Sequence, residues 1–142
     1  MSGALRLNLT AVAIGGRGML IEGLPGSGKS SLALALIDRG ALLIGDDAVL
    51  LEVSQGRLYA FPPPRLAGKL EVRNLGLLDF PTAEGVPVAL VARLDPAAER
   101  WIEEAECERI AGVALPLVRL WPDTPALPLR AEWALATYGT IL

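Results

Sequence analysis

Residues 21–47 read IEGLPGSGKSSLALALIDRGALLIGDD. A short apolar segment comes first, a glycine-rich segment follows it, and a leucine-rich run of good helix formers then ends at Gly40. A second apolar segment, residues 41–44, leads into Gly45, Asp46 and Asp47. This order predicts a strand, a tight turn, a helix and a second strand, which is typical of an α/β domain.

The glycine-rich segment, residues 23–30, matches the pattern G-x-x-x-x-G-K-[ST]. Glycines let successive backbone N–H groups turn inward around phosphate oxygens, and the positive N-terminal end of the following helix faces the same anion. Lys29 supplies a cation for the terminal phosphates, and the Ser30 hydroxyl can bind Mg²⁺. An ordinary glycine-rich turn is the alternative, which the flanking strand and helix disfavour. We predict that nine residues bind the nucleotide phosphates: Gly23, Leu24, Pro25, Gly26, Ser27, Gly28, Lys29, Ser30 and Ser31.

Two adjacent carboxylates, Asp46 and Asp47, end the strand that follows the helix. A right-handed crossover is expected to return this strand alongside the first, so that its carboxyl end lies beside the phosphate loop. One carboxylate there can hold Mg²⁺, and the other can accept a proton from an attacking hydroxyl group. The alternative is a pair of aspartates that only caps a turn.

Composition limits the chemistry. The chain has 142 residues, 52% of them apolar, and a net charge of −3, which fits one domain over residues 1–142 and gives no basic surface for nucleic acid. It has no histidine and one cysteine, Cys107, so histidine bases and disulfide frameworks are excluded. No apolar run reaches the roughly 18 residues of a membrane span, and we expect a cytoplasmic protein without a membrane partner.

The rest of the chain predicts a mixed sheet. An apolar run over residues 5–14 indicates a strand, and a hairpin is expected around residues 54–56. The tryptophans are expected in the core or in an interface. Strands are also expected at 19–22, 70–72, 86–94 and 113–120, one or two helical turns within 96–106, and a short helix at 129–138.

Several classes of phosphate-loop protein are disfavoured. Nucleotide kinases insert acceptor-binding segments after the loop's helix, whereas here only Gly40 separates helix from strand. The N-K-x-D segment with which GTPases read guanine is missing, and motor ATPases need a longer chain. A small-molecule kinase would need an acceptor pocket that the sequence does not reveal.

The stretch IEGLPGSGKSSLALALIDRGALLIGDDAVLL, followed by GKLEVRNLGLLDF at residues 68–80, resembles the C-terminal catalytic domain of bacterial HPr kinase/phosphorylase. That family combines a phosphate loop, a strand ending in D-D and an E-[IV]-R-G-L-G signature, in which Asn74 here replaces the first glycine. The resemblance covers about residues 11–80 and suggests a short form that lacks the family's N-terminal domain.

The resemblance implies a single phosphate-loop α/β domain with a mixed sheet. It implies ATP- and Mg²⁺-dependent phosphorylation of a serine on an HPr-type phosphocarrier protein, and the reverse reaction with phosphate, which releases pyrophosphate. It also implies a homo-oligomer, typically a hexamer. The catalytic residues carried over by position are Asp47 as proton acceptor, Asp46, Lys29, Arg73 and, in a motif similar to the family's D-R-L-G, Arg109. The metal-associated residues are Ser30, Asp46 and Glu71.

A second position, besides Asn74, departs from the family. The family has a histidine where this chain has Asn8, and an asparagine side chain cannot carry a proton at neutral pH. We therefore expect nucleotide binding to be retained and phosphotransfer to be weakened or altered. The alternative function is a regulatory module that binds a nucleotide without catalysing transfer.

Overall fold

The computed structural model describes residues 3–142, which form eleven strands and two helices. Neither helix is long and apolar enough to cross a bilayer, in the part of the chain so described. In chain order the elements are β1 (Ala4–Leu7), β2 (Thr10–Ile14), β3 (Arg17–Glu22), α1 (Lys29–Asp38), β4 (Leu42–Gly45), β5 (Ala48–Ser54), β6 (Arg57–Phe61), β7 (Lys69–Val72), β8 (Gly76–Asp79), β9 (Val86–Leu94), β10 (Glu106–Ile110), β11 (Val113–Leu120) and α2 (Leu127–Tyr138).

Nine strands form one mixed sheet that branches at β9. The first part of β9 pairs with β6, and β5 and β1 follow β6 in the sheet. The last residues of β9 pair in parallel with β11, which in turn pairs with β10. On its other side β9 pairs in parallel with β3, and β2 and β4 follow. Strands β7 and β8 form a separate small sheet.

Two apolar cores result from this branching. One lies between the main sheet and the helices and includes Met19, Ile21, Leu32 and Leu36. The other lies on the opposite face of the sheet, where Leu20 and other main-sheet residues meet the β1–β5–β6 branch. Alternate residues of β3 thus enter different cores, which explains why the strand is apolar nearly throughout.

The predicted unit of strand, loop, helix and strand is present. The helix was expected over residues 30–39 and spans Lys29–Asp38, a difference of one residue at each end. The prediction that β4 lies alongside β3 was wrong, because β2 pairs antiparallel with both and lies between them. Since two antiparallel steps restore the direction, β4 still runs parallel to β3. Its carboxyl end therefore reaches the same edge of the sheet as the loop that follows β3.

The single strand expected over residues 5–14 is two strands. Asn8 has φ 61°, a left-handed conformation that breaks the extended chain, so β1 joins the outer branch and β2 joins the main sheet. Asparagine is among the few residues that adopt this conformation readily. The apolar pattern on both sides of Asn8 concealed the break.

The segment 96–106 contains no helix. The Asp95 carboxylate instead holds a turn at the start of this segment. It accepts a hydrogen bond from Ala97 N–H at 2.8 Å and forms an ion pair with Arg119 at 3.0 Å. Strands β8 and β10 were not predicted. Trp101 and Trp133 are 79% and 71% exposed, so a core role for these two tryptophans was wrong.

Candidate active site

The loop between β3 and α1 has the backbone shape that its glycines predict. Gly26 and Gly28 have φ values of 79° and 102°, and Ser27 N–H donates to Leu24 O at 3.0 Å to close the turn. Helix α1 begins at Lys29 with no side-chain cap. The N–H groups of its first turn therefore lack a partner from the cap position and can donate to an anion.

Lys29 is buried, with 8% of its surface exposed. Its Nζ donates to Gly23 O at 2.9 Å and to Leu24 O at 3.3 Å, and none of the ion pairs found within residues 3–142 involves it. A buried charge normally has a partner of opposite charge, because burial removes its hydration. Neutral carbonyls only partly replace that hydration, so an anion in front of the loop would be bound favourably.

Ser30 and Asp46 meet beside the loop. Ser30 Oγ donates to Asp46 Oδ1 at 2.6 Å, and Thr10 Oγ1 donates to the same oxygen at 3.1 Å. The second oxygen, Asp46 Oδ2, accepts from Glu71 N–H at 3.1 Å. Three donors from β2, α1 and β7 therefore fix this carboxylate in one orientation.

Asp47 is held by its backbone instead. Its φ is 60°, its N–H donates to Thr10 Oγ1 at 3.3 Å, and its carbonyl accepts from Asn8 N–H at 2.9 Å. Among residues 3–142 no hydrogen bond or ion pair reaches the Asp47 carboxylate, which is exposed at the cavity wall. The two neighbouring aspartates thus differ: the Asp46 carboxylate is held by three hydrogen bonds, whereas within the described residues the Asp47 carboxylate is held by none.

These groups surround one cavity of about 220 Å³. The residues that line it come from the β1–β2 break, the loop, α1, the end of β4 and the β7–β8 hairpin. They are Asn8, Thr10, Pro25, Gly26, Gly28, Lys29, Ser30, Ser31, Asp46, Asp47, Glu71 and Arg73.

Most predicted site residues meet at this cavity. Gly23 and Leu24 contribute the carbonyls that hold Lys29, and the buried Ser27 Oγ has no hydrogen-bond partner within the described chain. Thr10 was not predicted to belong to the site. The only feature that distinguishes it in the sequence is a hydroxyl group at the start of an apolar strand.

Gly23, Leu24 and Ser27 belong to the loop without lining the cavity, whereas Arg109 lies away from the loop as well. It lies on β10, is exposed, and donates from Nη1 to Gly112 O at 3.1 Å in the β10–β11 turn. It does not line the cavity, so this chain alone does not bring it to the other predicted residues, and its catalytic role stays a prediction.

A charged cluster on β3, β9 and β10 lies outside the cavity. Arg93 donates to Glu22 Oε1 at 2.7 Å and to Glu108 Oε1 at 3.1 Å. Burial, together with the nearby Glu22 carboxylate, raises the pKa of Glu108. Farther along this cluster, the hydrogen bond from Arg119 lowers the pKa of Glu106.

The donor set suits Mg²⁺ in part. No cluster of three or more histidine, cysteine or acidic side chains that could hold a metal occurs within residues 3–142, so Asp46, Asp47 and Glu71 do not converge as three ligands. Magnesium, however, is usually held by one or two protein oxygens together with phosphate oxygens and water. Ser30 Oγ and Asp46 Oδ1 are such a pair of oxygens.

A glycine-rich loop with a buried lysine, set against a carboxylate from a parallel strand, is typical of the α/β domains that bind phosphate groups. Residues 3–119 match the family of the HPr serine kinase C-terminal domain, and the chain belongs to that family.

Known relatives agree with this assignment. HPr kinase/phosphorylase of Clostridium tetani is 37% identical over 108 residues, which are 74% of this chain and 35% of the relative. That of Bordetella petrii is 51% identical over 71 residues, 49% of this chain and 23% of the relative. The chain thus spans about a third or less of the length of these relatives. The solved HPr(Ser) kinase/phosphatase of Coxiella burnetii superimposes with a TM-score of 0.80 at 26% identity, over 94% of both chains.

Proposed function

We propose that this chain catalyses ATP- and Mg²⁺-dependent phosphorylation of a serine on an HPr-type phosphocarrier protein, and the reverse transfer to phosphate, which yields pyrophosphate. The observation that carries the proposal is the buried Lys29 ammonium at the start of an uncapped helix, where loop carbonyls are its only hydrogen-bond partners among residues 3–142. It is a preformed binding site for a polyphosphate, next to a carboxylate that can act as a base.

The loop would bind the nucleotide phosphates. The N–H groups of residues 28–31 would donate to their oxygens, and Lys29 would exchange the carbonyls of Gly23 and Leu24 for the transferring phosphate. Arg73, which also lines the cavity, would bind the same group or the pyrophosphate formed in the reverse direction. Phosphoryl transfer depends mainly on positioning and charge neutralisation, which these lining residues can supply.

Ser30 and Asp46 would hold the magnesium ion. When bound, Mg²⁺ neutralises the negative charge of the phosphates during transfer. Asp46 suits this role because its carboxylate is already fixed at 2.6 Å from Ser30 Oγ. Glu71 lines the same cavity and would also be associated with the ion.

Asp47 would accept the proton of the serine hydroxyl. Its carboxylate has no partner within the described chain and is exposed at the cavity wall, so an acceptor side chain can approach it. In the forward reaction the serine oxygen bonds to the terminal phosphorus, the bond to the leaving ADP breaks, and the proton passes to Asp47. In reverse, phosphate takes the phosphoryl group from phosphoserine and the serine oxygen regains its proton.

A second function is favoured by Asn8. This residue lines the cavity next to Asp47, at the position where the family has a histidine. A nucleotide-binding regulatory module with little transfer activity would keep the loop and lack only the histidine side chain. Both functions therefore require nucleotide binding, and only the kinase requires phosphotransfer.

The test uses ATP labelled at the terminal phosphate and an HPr-type protein. The kinase predicts label on one acceptor serine, absent when that serine is replaced by alanine and absent with Lys29→Met. Nucleotide binding without label on the acceptor would support the regulatory module and contradict the kinase. Adding phosphate to the labelled acceptor should release labelled pyrophosphate.

We extend the proposal to assembly as a homo-oligomer, hexameric by family resemblance, in the cytoplasm. The exposed Trp101 and Trp133 line a groove of about 440 Å³ between the segment after β9 and α2, and such an apolar surface is more often covered than left in water. Light scattering of the purified chain gives its mass directly. A mass of 15.0 kDa would contradict the oligomer.

A further inference from the structure

Thr10 is a buried polar residue in a strand that is otherwise apolar. None of its surface is exposed, and it lies at the start of β2 on the face that packs against α1. Valine has the same shape without the hydroxyl and would suit a buried strand position at least as well. The hydroxyl therefore needs a reason of its own.

The hydroxyl contacts both aspartates at once. Thr10 Oγ1 donates to Asp46 Oδ1 at 3.1 Å and accepts from Asp47 N–H at 3.3 Å. These partners lie 36 and 37 residues away in sequence, so the contacts join β2 to the end of β4. A hydroxyl can donate one hydrogen bond while it accepts another, which no apolar side chain of this size can do.

The first contact orients the carboxylate of Asp46. With Ser30 it places two donors on Asp46 Oδ1, so that oxygen faces the start of α1, while Oδ2 is held by Glu71 N–H. The loss of the Thr10 contact would leave the carboxylate free to rotate away from Ser30. Groups that orient a metal-binding side chain in this way usually matter for metal affinity.

The second contact holds the backbone of Asp47. This residue has φ 60°, a conformation that costs energy for most residues unless its surroundings support it. Thr10 holds its N–H and Asn8 N–H holds its carbonyl. The Asp47 carboxylate is thereby turned to the cavity, apart from that of Asp46.

We propose that Thr10 is a positioning residue of the phosphotransfer site, whose hydroxyl sets the separate roles of Asp46 and Asp47. The proposal rests on the proposed function for the identity of the reaction. Thr10 acts through the two aspartates, since none of its own surface is exposed. The proposal predicts an effect on magnesium-dependent binding that can be measured without any acceptor protein.

The first measurement is calorimetric titration with pyrophosphate, with and without Mg²⁺. Thr10→Val should keep the metal-free affinity within about twofold and lose the enhancement by Mg²⁺ by about tenfold or more, whereas Thr10→Ser should keep the enhancement. Val12→Ala is the matched control, because Val12 is equally buried on the same strand face and its side chain has no atom that could hydrogen-bond to either aspartate. If Thr10→Val fails to fold, Thr10→Ala takes its place with the same expected loss.

The second measurement is the rate of transfer to an HPr-type protein. Thr10→Val should lower kcat by about tenfold or more while KM for the acceptor stays unchanged, and Thr10→Ser should restore most of the rate. A native chain that transfers no phosphate, but whose Mg²⁺ enhancement depends on the Thr10 hydroxyl, would overturn the proposed function and leave the positioning role standing.

Three results would overturn the positioning role. The Mg²⁺ enhancement could survive in Thr10→Val, or the native chain could show no enhancement. In the third, Thr10→Val would lose pyrophosphate affinity equally with and without Mg²⁺, just as Val12→Ala does, and Thr10→Ser would not restore the affinity. That pattern would make Thr10 a packing residue only.

Discussion

Asp47→Asn is expected to stop phosphotransfer and leave nucleotide binding intact. The substitution removes the negative charge and proton affinity of the carboxylate and keeps its shape. Asparagine tolerates the left-handed conformation at this position, where φ is 60°. The backbone contacts with Thr10 and Asn8 involve no side-chain atom of Asp47, so they remain.

The size of the effect follows from these contacts. Since no hydrogen bond or ion pair in the described chain reaches the Asp47 carboxylate, its loss should change the free energy of unfolding by only about 0.5 kcal/mol. Removal of a general base usually costs a factor of about 10²–10⁴ in rate. That factor corresponds to about 3–5 kcal/mol of transition-state stabilisation.

The assay is the initial rate of label transfer from ATP to an HPr-type protein at saturating nucleotide. Nucleotide affinity is measured in parallel by calorimetry and should stay within about twofold of the native value. Asp79→Asn is the matched control, because Asp79 is exposed, pairs with Lys69 at 2.6 Å and does not line the cavity. It should transfer phosphate at the native rate.

Two results would contradict the role of Asp47 as the base. A rate for Asp47→Asn close to the native rate would remove Asp47 from the role of base. An equal loss of rate and nucleotide affinity would place Asp47 in binding instead of proton transfer.

Three further predictions concern other parts of the chain. Asn8→His should raise the transfer rate, since histidine also tolerates left-handed geometry and can carry a proton; an unchanged rate would argue against the weakened-site hypothesis. Gly45→Ala should lower both the melting temperature and the affinity for Mg²⁺–pyrophosphate, because a Cβ at this position would overlap Ala48 O; a melting temperature equal to the native one would contradict this. Burial and Glu22 raise the pKa of Glu108, so the folded state binds that proton more tightly, and the stability that this proton contributes should be lost as pH rises above the ordinary glutamate pKa of about 4.3. Glu108→Gln should remove this fall in denaturant unfolding measured across pH, and an unchanged pH profile would count against it.

The phosphate loop and its helix could be predicted because their signals are local. Pattern, glycine spacing and helix formers all lie within residues 21–40, and the structure begins α1 at Lys29 beside Gly28, as the motif requires. Asp46 was placed at the same edge of the sheet by the direction of β4. That inference held although β2 intervenes, because direction decides which edge a strand end reaches.

The missing pieces depend on distant contacts. Thr10 acquires its role from partners 36 and 37 residues away, which no local pattern encodes. Strand β10 alternates weakly and exists because it pairs with β11 at the sheet edge. The acidic segment before β10 resembles the solvated face of a helix. It forms an irregular loop instead, and Arg119 makes ion pairs with Asp95 and Glu106 at the two ends of that loop.

Calorimetric titration of the native chain and of Lys29→Met with Mg²⁺–pyrophosphate shows whether residues 23–31 form a polyphosphate site around Lys29. We expect saturable heat for the native chain and at least about tenfold weaker binding for Lys29→Met, because the buried ammonium is lost. No heat from the native chain, or equal affinity in both proteins, would rule out such a site.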